Sequence, residues 1–183
     1  AGEVVALLHA GGADLDAACN GPHSETALHW AASSDDVDLI DALLDLGADL
    51  EARGAVIGGG TAVADATAFG QWRAAERLIE RGAHTNLFES AVMGLNERVE
   101  AELANPHTAA TEHITHALWG ACHGDRQDTA ASLLEHGADI NWIGWDNLTP
   151  LDAAERTAAE RGCASTLPDW LRERGARSAT DLL

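Results

Sequence analysis

The sequence predicts an all-α fold, a solenoid of about five helix-turn-helix repeats joined by hairpin fingers. Three observations predict it. Gly-Ala-Asp recurs at Gly12-Ala13-Asp14, Gly47-Ala48-Asp49 and Gly137-Ala138-Asp139, with near copies at Gly82-Ala83-His84 and Gly175-Ala176-Arg177. Each copy follows an apolar run at helical spacing, such as Leu39-Ile40-Leu43-Leu44, Leu78-Ile79 and Leu133-Leu134. Upstream of two such runs stand helix-opening segments, Thr26-Ala27-Leu28-His29-Trp30-Ala31-Ala32 and Thr149-Pro150-Leu151-Asp152-Ala153-Ala154.

Each element has a local reason. Thr caps a helix N-terminus and Pro suits its first turn. Gly supplies the left-handed residue that stops the second helix. The spacing predicts helices at roughly 3–9, 27–34, 37–45, 62–69, 72–80, 86–93, 96–104, 115–123, 127–135, 150–160 and 167–174. Polar hairpins lie between them, the longest at 49–60, 105–114 and 139–148. Hydrophobic residues make up 46% of 183, which supports a core, and the abundance of Ala and Leu favours helix over strand.

Thr-Pro-Leu-His-x-Ala-Ala, then a second helix and Gly-Ala-Asp, resembles the ankyrin repeat. Thr26 to Asp49 matches without gaps, with Ala27 in the Pro place. Thr61 to His84 matches with Ala64 in the His place. Thr85 opens a degenerate copy, His116 to Asp139 forms another, and Thr149 opens the last. Residues 3–20 resemble the second half of an earlier repeat. A single ankyrin-repeat domain over 1–183 is expected, with a half repeat at 1–20 and repeats at about 21–53, 54–84, 85–108, 109–141 and 142–183.

Charge and composition narrow the function. Thirty acids face eleven basic residues, all Arg, for a net charge of -19. A phosphate backbone or an anionic bilayer would be repelled, so neither nucleic acid nor membrane is an expected partner. No apolar stretch approaches a membrane span, and the start does not read as a signal segment. Cys19, Cys122 and Cys163 are odd in number and far apart, which argues for a reducing compartment; the cytoplasm is expected. The opening residue, Ala1 rather than Met, fits a processed or trimmed start.

The resemblance implies that first helices and fingers line a concave groove. It places Trp30, Ser33 and Ser34 there, with Asp65, Ala68 and Phe69, then Glu89, Val92 and Met93. Gly120, His123 and Gly124 follow, then Ala153, Arg156 and Thr157. His29, Ala64, Phe88, Trp119 and Asp152 take the signature His place just inside. Trp119 therefore falls to core or to groove wall, while Trp72 and Trp170, on second helices, are expected to pack.

Two functions follow. Most proteins resembling ankyrin stacks are binding scaffolds, which implies a partner protein gripped by groove and fingers, and the acidity suits a basic one. Trp142 and Trp145 on a finger would then be a hot spot. Alternatively, Trp30, Ser34, Phe69, Met93 and Trp119, with those finger indoles, form a pocket for a small aromatic or cationic ligand. In that case Asp65, Glu89 and His123 would do acid–base work. Solvated acids are the plainer reading of Asp65 and Glu89, and a structural tether that of His29. No cofactor is expected. His113, His116, Cys122 and His123 fit no zinc spacing, and Gly58-Gly59-Gly60 lacks the Lys of a phosphate loop.

Overall fold

The computed structural model describes residues 2–19, 23–105, 109–162 and 164–183. Cys163 and the ends of two expected repeats, 20–22 and 106–108, lie outside the described residues. The described chain is helical without strands, and none of its helices is long and apolar enough to cross a membrane. It forms two compact units, residues 1–85 and 86–183.

The first unit contains α1 (Gly2–Ala10), α2 (Ala27–Ser33), α3 (Val37–Asp45), α4 (Ala62–Ala68) and α5 (Trp72–Glu80). First helices α2 and α4 pack together, and second helices α1, α3 and α5 pack in sequence behind them. Leu28, Ile40, Leu43, Val63 and Leu78 fill the interior, so each helix pair buries its apolar stripe against the next. Asp41 joins α3 to α5 by accepting from Arg77 (2.8 Å) and Arg81 (2.7 Å). The hydrogen bond from Arg77 is the larger cause that holds the Asp41 carboxyl below its usual value. Among the described residues, α1 has no paired first helix. Leu8 precedes Gly12 as Leu43 precedes Gly47, yet Leu8 is 59% exposed and Leu43 is 1% exposed.

The second unit contains α6 (Leu87–Met93), α7 (Asn96–Leu103), α8 (Thr111–His123) and α9 (Gln127–Glu135). A 3-10 turn, Trp145–Asn147, precedes α10 (Pro150–Arg161), α11 (Leu167–Glu173) and α12 (Ala179–Leu182). Leu118, Trp119, Leu133, Leu151, Leu167 and Leu171 form one core. α6 and α8 approach closely because α8 carries glycine where they touch. A Cβ at Gly124 would lie 1.9 Å from the Val92 carbonyl oxygen, and one at Gly120 would lie 2.8 Å from the Phe88 ring.

Polar ties repeat along each stack. Asp35 adopts a left-handed turn (φ 53°), and its carboxylate accepts the Ala74 amide at 2.7 Å. Asp125 (φ 61°) takes the same turn and accepts the Ser165 hydroxyl at 2.6 Å. Asp is among the few non-glycine residues that readily take this backbone. Fingers are linked in series too: the His84 amide donates to Glu51, and the Arg177 amide to Asn141.

The structure corrects two expectations. N-cap and C-cap stand eight residues apart in α2 (Thr26, Ser34), α4 (Thr61, Phe69) and α6 (Asn86, Gly94). The third copy therefore starts at Asn86, one residue later than Thr85. Glu89 then holds the place of His29, and Val92 turns inward. Counting eight back from Gly124, the cap of α8 would fall at His116. The helix instead begins at Thr111, so the hairpin expected at 105–114 is partly helix.

Candidate functional site

In the first unit, two buried polar side chains hold a finger in place. His29 Nδ1 accepts the Thr26 amide at 3.1 Å, closing a capping box, and Nε2 donates to the Gly60 carbonyl at 3.4 Å. The Gly60 carbonyl also accepts the amides of Gly54 and Ala55, which closes the finger on itself. Asp65 is not solvated; it is wholly buried. Its Oδ1 accepts the Ile57 amide at 3.3 Å, and its Oδ2 has no hydrogen-bond partner. Burial pushes the Asp65 carboxyl above its ordinary range, against the lowering effect of the Ile57 amide and of nearby His29.

Large apolar side chains remain in solvent around this anchored finger. Trp30 is 55% exposed, Phe69 46% and Ile57 43%. Trp30 and Asp65 hold equivalent positions on α2 and α4, as do Ser34 and Phe69, so these residues belong to one stripe of the first helices. Ser34 is exposed at the end of that stripe.

In the second unit, the residues assigned to the groove are mostly buried. Met93 is 7% exposed, and Val92, Gly120, His123, Gly124, Ala153 and Thr157 are also buried. The close α6–α8 approach and the Thr157 hydroxyl donating to the His123 carbonyl at 2.8 Å account for much of this. Glu89 is buried as the far partner of a capping box, Oε2 accepting the Asn86 amide at 2.8 Å. Asp152 does the same for Thr149. Trp119 is core, with its indole N–H spent on the Leu148 carbonyl at 3.0 Å.

What reaches solvent in this unit is an aromatic cluster built on α8 and the finger that follows α9. Trp145 meets Phe88, His116, Trp119 and Trp142 at centroid distances of 5.2, 5.3, 5.1 and 5.3 Å. His116 also faces Trp142 at 4.6 Å. These are the offset and edge-on geometries that aromatic pairs favour. The finger backbone is shaped for them. Asp146 and Asn147 are both left-handed (φ 57° and 58°), and Arg156 holds Asp146 at 2.8 Å. Gly144 lies under Trp142 so closely that a Cβ would come within 2.1 Å of the ring. Trp145 remains 45% exposed.

Two clefts share His116 in their lining. One, of about 450 Å³, is lined by Asn86, Leu87, Phe88, Glu102, His113 and His116. A second of about 450 Å³ is lined by Thr111, Glu112, Thr115, His116, Asp139 and Trp142. Both depend on the upstream extension of α8. The sequence reading singled out Trp142 and Trp145 but missed Glu112, and it weighed His116 only as a metal ligand. No local signal marks the extension, because the N-cap of α8, Ala110, has no capping side chain. Among the described residues, no group of three metal-ligating side chains is assembled. Trp72 is half-buried on α5, and Trp170 is half-buried on α11 under the Arg174 guanidinium, 3.9 Å from its ring.

Comparison with known proteins agrees with the helical repeat. Residues 1–89 match the family model for ankyrin repeats in three copies. An ankyrin repeat and KH domain-containing protein of Caenorhabditis briggsae is 31% identical over 149 residues. That match covers 76% of this chain and only 6% of the relative's length. The crystal structure of the human ASB11 ankyrin repeat domain is 28% identical and aligns with a TM-score of 0.49, covering 99% of this chain and 87% of that one.

Proposed function

Because the chain belongs to the ankyrin-repeat family, we propose that it is a binding scaffold that docks a partner protein on its first helices and fingers. Ankyrin repeats generally serve protein–protein interaction. One observation carries the finer reading. In the first unit, Trp30, Phe69 and Ile57 stay largely in solvent on the first-helix stripe and its anchored finger. Aromatic side chains left on a rigid surface are the usual anchors of protein recognition. The finger is preorganised by His29 and Asp65, which reduces the ordering cost of docking. The net charge of -19 favours a basic partner and speeds its encounter.

The test is affinity capture from the native host, comparing the wild-type chain with Trp30→Ser and Phe69→Ser. These positions are exposed, so both variants should keep the wild-type melting temperature. A discrete protein retained by the wild type and lost by both variants is the expected result. Retention of the same proteins by all three chains would overturn the proposed face.

A further inference from the structure

We infer that the cleft between the start of α8 and the Trp142 finger is a subsite for a guanidinium group, receiving an arginine side chain of the partner protein. This rests on the scaffold reading and names the chemistry of one contact within it.

Four features of the cleft point to that occupant. Trp142 lines it with an indole held rigidly, by His116 at 4.6 Å and by the space that Gly144 leaves for the ring. Two carboxylates, Glu112 and Asp139, line the same cleft. Thr111 and Thr115 add hydroxyl groups, and among its described lining residues there is no arginine to neutralise the acids. The cleft, of about 450 Å³, has room for a long side chain.

A planar guanidinium fits this set better than other groups. It stacks on an indole face while its N–H groups reach carboxylates at the edge. A phosphate or a carboxylate ligand would meet the field of two acids. A neutral aromatic group would leave the acids unused. The chain already makes this contact internally, where the Arg174 guanidinium lies 3.9 Å above the Trp170 ring.

The site also explains features the repeat alone does not require. α8 starts at Thr111, six residues before Ala117, the first residue that a cap at His116 would give it. That extension places Glu112 and Thr115 opposite the finger. The left-handed pair Asp146 and Asn147 fixes the turn that seats Trp145 beside Trp142.

The test needs no partner. Arginine methyl ester and citrulline methyl ester, which differ in having a guanidinium or an uncharged ureido side chain, are titrated at matched ionic strength into the full chain. The readout is the indole N–H signal of Trp142 by NMR, assigned with Trp142→Phe. The arginine ester should move that signal saturably, and the citrulline ester should not. Glu112→Gln removes one charge from an exposed residue with little effect on folding, and it should weaken the arginine effect several-fold. Equal shifts with both esters, no shift with either, or an arginine shift indifferent to Glu112→Gln would overturn the subsite. Because the titration uses small esters, its failure leaves the docking face at Trp30 and Phe69 intact. Conversely, failure of the capture experiment leaves a positive titration standing.

Discussion

The indole N–H of Trp119 donates to the carbonyl of Leu148 at 3.0 Å, pinning the aromatic finger to the core of the second unit. Trp119 is also in edge contact with Trp145 at 5.1 Å. Trp119→Phe keeps most of the packing and loses the hydrogen bond, leaving the Leu148 carbonyl with the Gly144 amide alone. It should cost about 1–2 kcal/mol. Trp119→Ala opens a cavity as well and should cost about 3–5 kcal/mol. Urea unfolding measures both. A Trp119→Phe variant as stable as wild type would mean that the finger is not held through this indole.

Asp65 should make stability fall with rising pH over a defined window. Burial raises its carboxyl above the ordinary 3.8, so the folded chain holds that proton more tightly than the unfolded chain does. Its contribution is then most favourable below about pH 3.8 and declines as pH climbs through the raised value. Asp65→Asn does not titrate. The difference in urea midpoint between wild type and variant should tilt toward the variant as pH rises from 3.8. A tilt toward the wild type would reverse the assignment.

Two glycines should resist replacement for different reasons. Gly124→Ala places a methyl group 1.9 Å from the Val92 carbonyl oxygen and must push α6 away from α8. A loss of about 2–3 kcal/mol is expected, read as a lower melting temperature. Gly144→Ala meets the Trp142 ring first, a side chain rather than backbone. It should displace that indole, altering its NMR signal, with a smaller loss of stability.

Cysteine labelling separates surface from core. Cys19 is exposed, while burial of Cys122 pushes its thiol far above the usual range. In the native chain, iodoacetamide should modify Cys19 quickly and leave Cys122 unmodified until denaturant is added. Peptide mass spectrometry reads the order, and early modification of Cys122 would contradict the packing around α8.

Much of this fold is legible in the residues themselves. α3, α5 and α9 run from 37, 72 and 127 to 45, 80 and 135, as the spacing of their apolar residues predicts. Their stops are glycines in positive φ, at Gly47, Gly82 and Gly137, a requirement that local sequence states directly. The start of α8 is not legible in the sequence because it has no capping side chain; its N-cap is Ala110. The third copy was read one residue early because Thr85 and Asn86 are both good caps, and only the bonds between Asn86 and Glu89 decide between them.

The candidate site was less legible. Trp30, Ser34 and Phe69 lie in solvent as their register implies, since exposure there follows from position on the helix. Asp65 shares that register and is buried nonetheless. Its burial depends on the finger folding back so that Ile57 donates to it, a contact set by tertiary structure. Met93 and His123 are buried for similar reasons, and Glu112 became visible only with the extension of α8.

The most direct test of the scaffold account is site-specific crosslinking in the native host. A photoreactive residue would replace Ile57 or Phe69 on the proposed face, or Glu76, exposed on α5, as a control. The account predicts one protein crosslinked from both 57 and 69 and absent from 76. Crosslinking of that protein from 76 alone, or from none of the three positions, would contradict it.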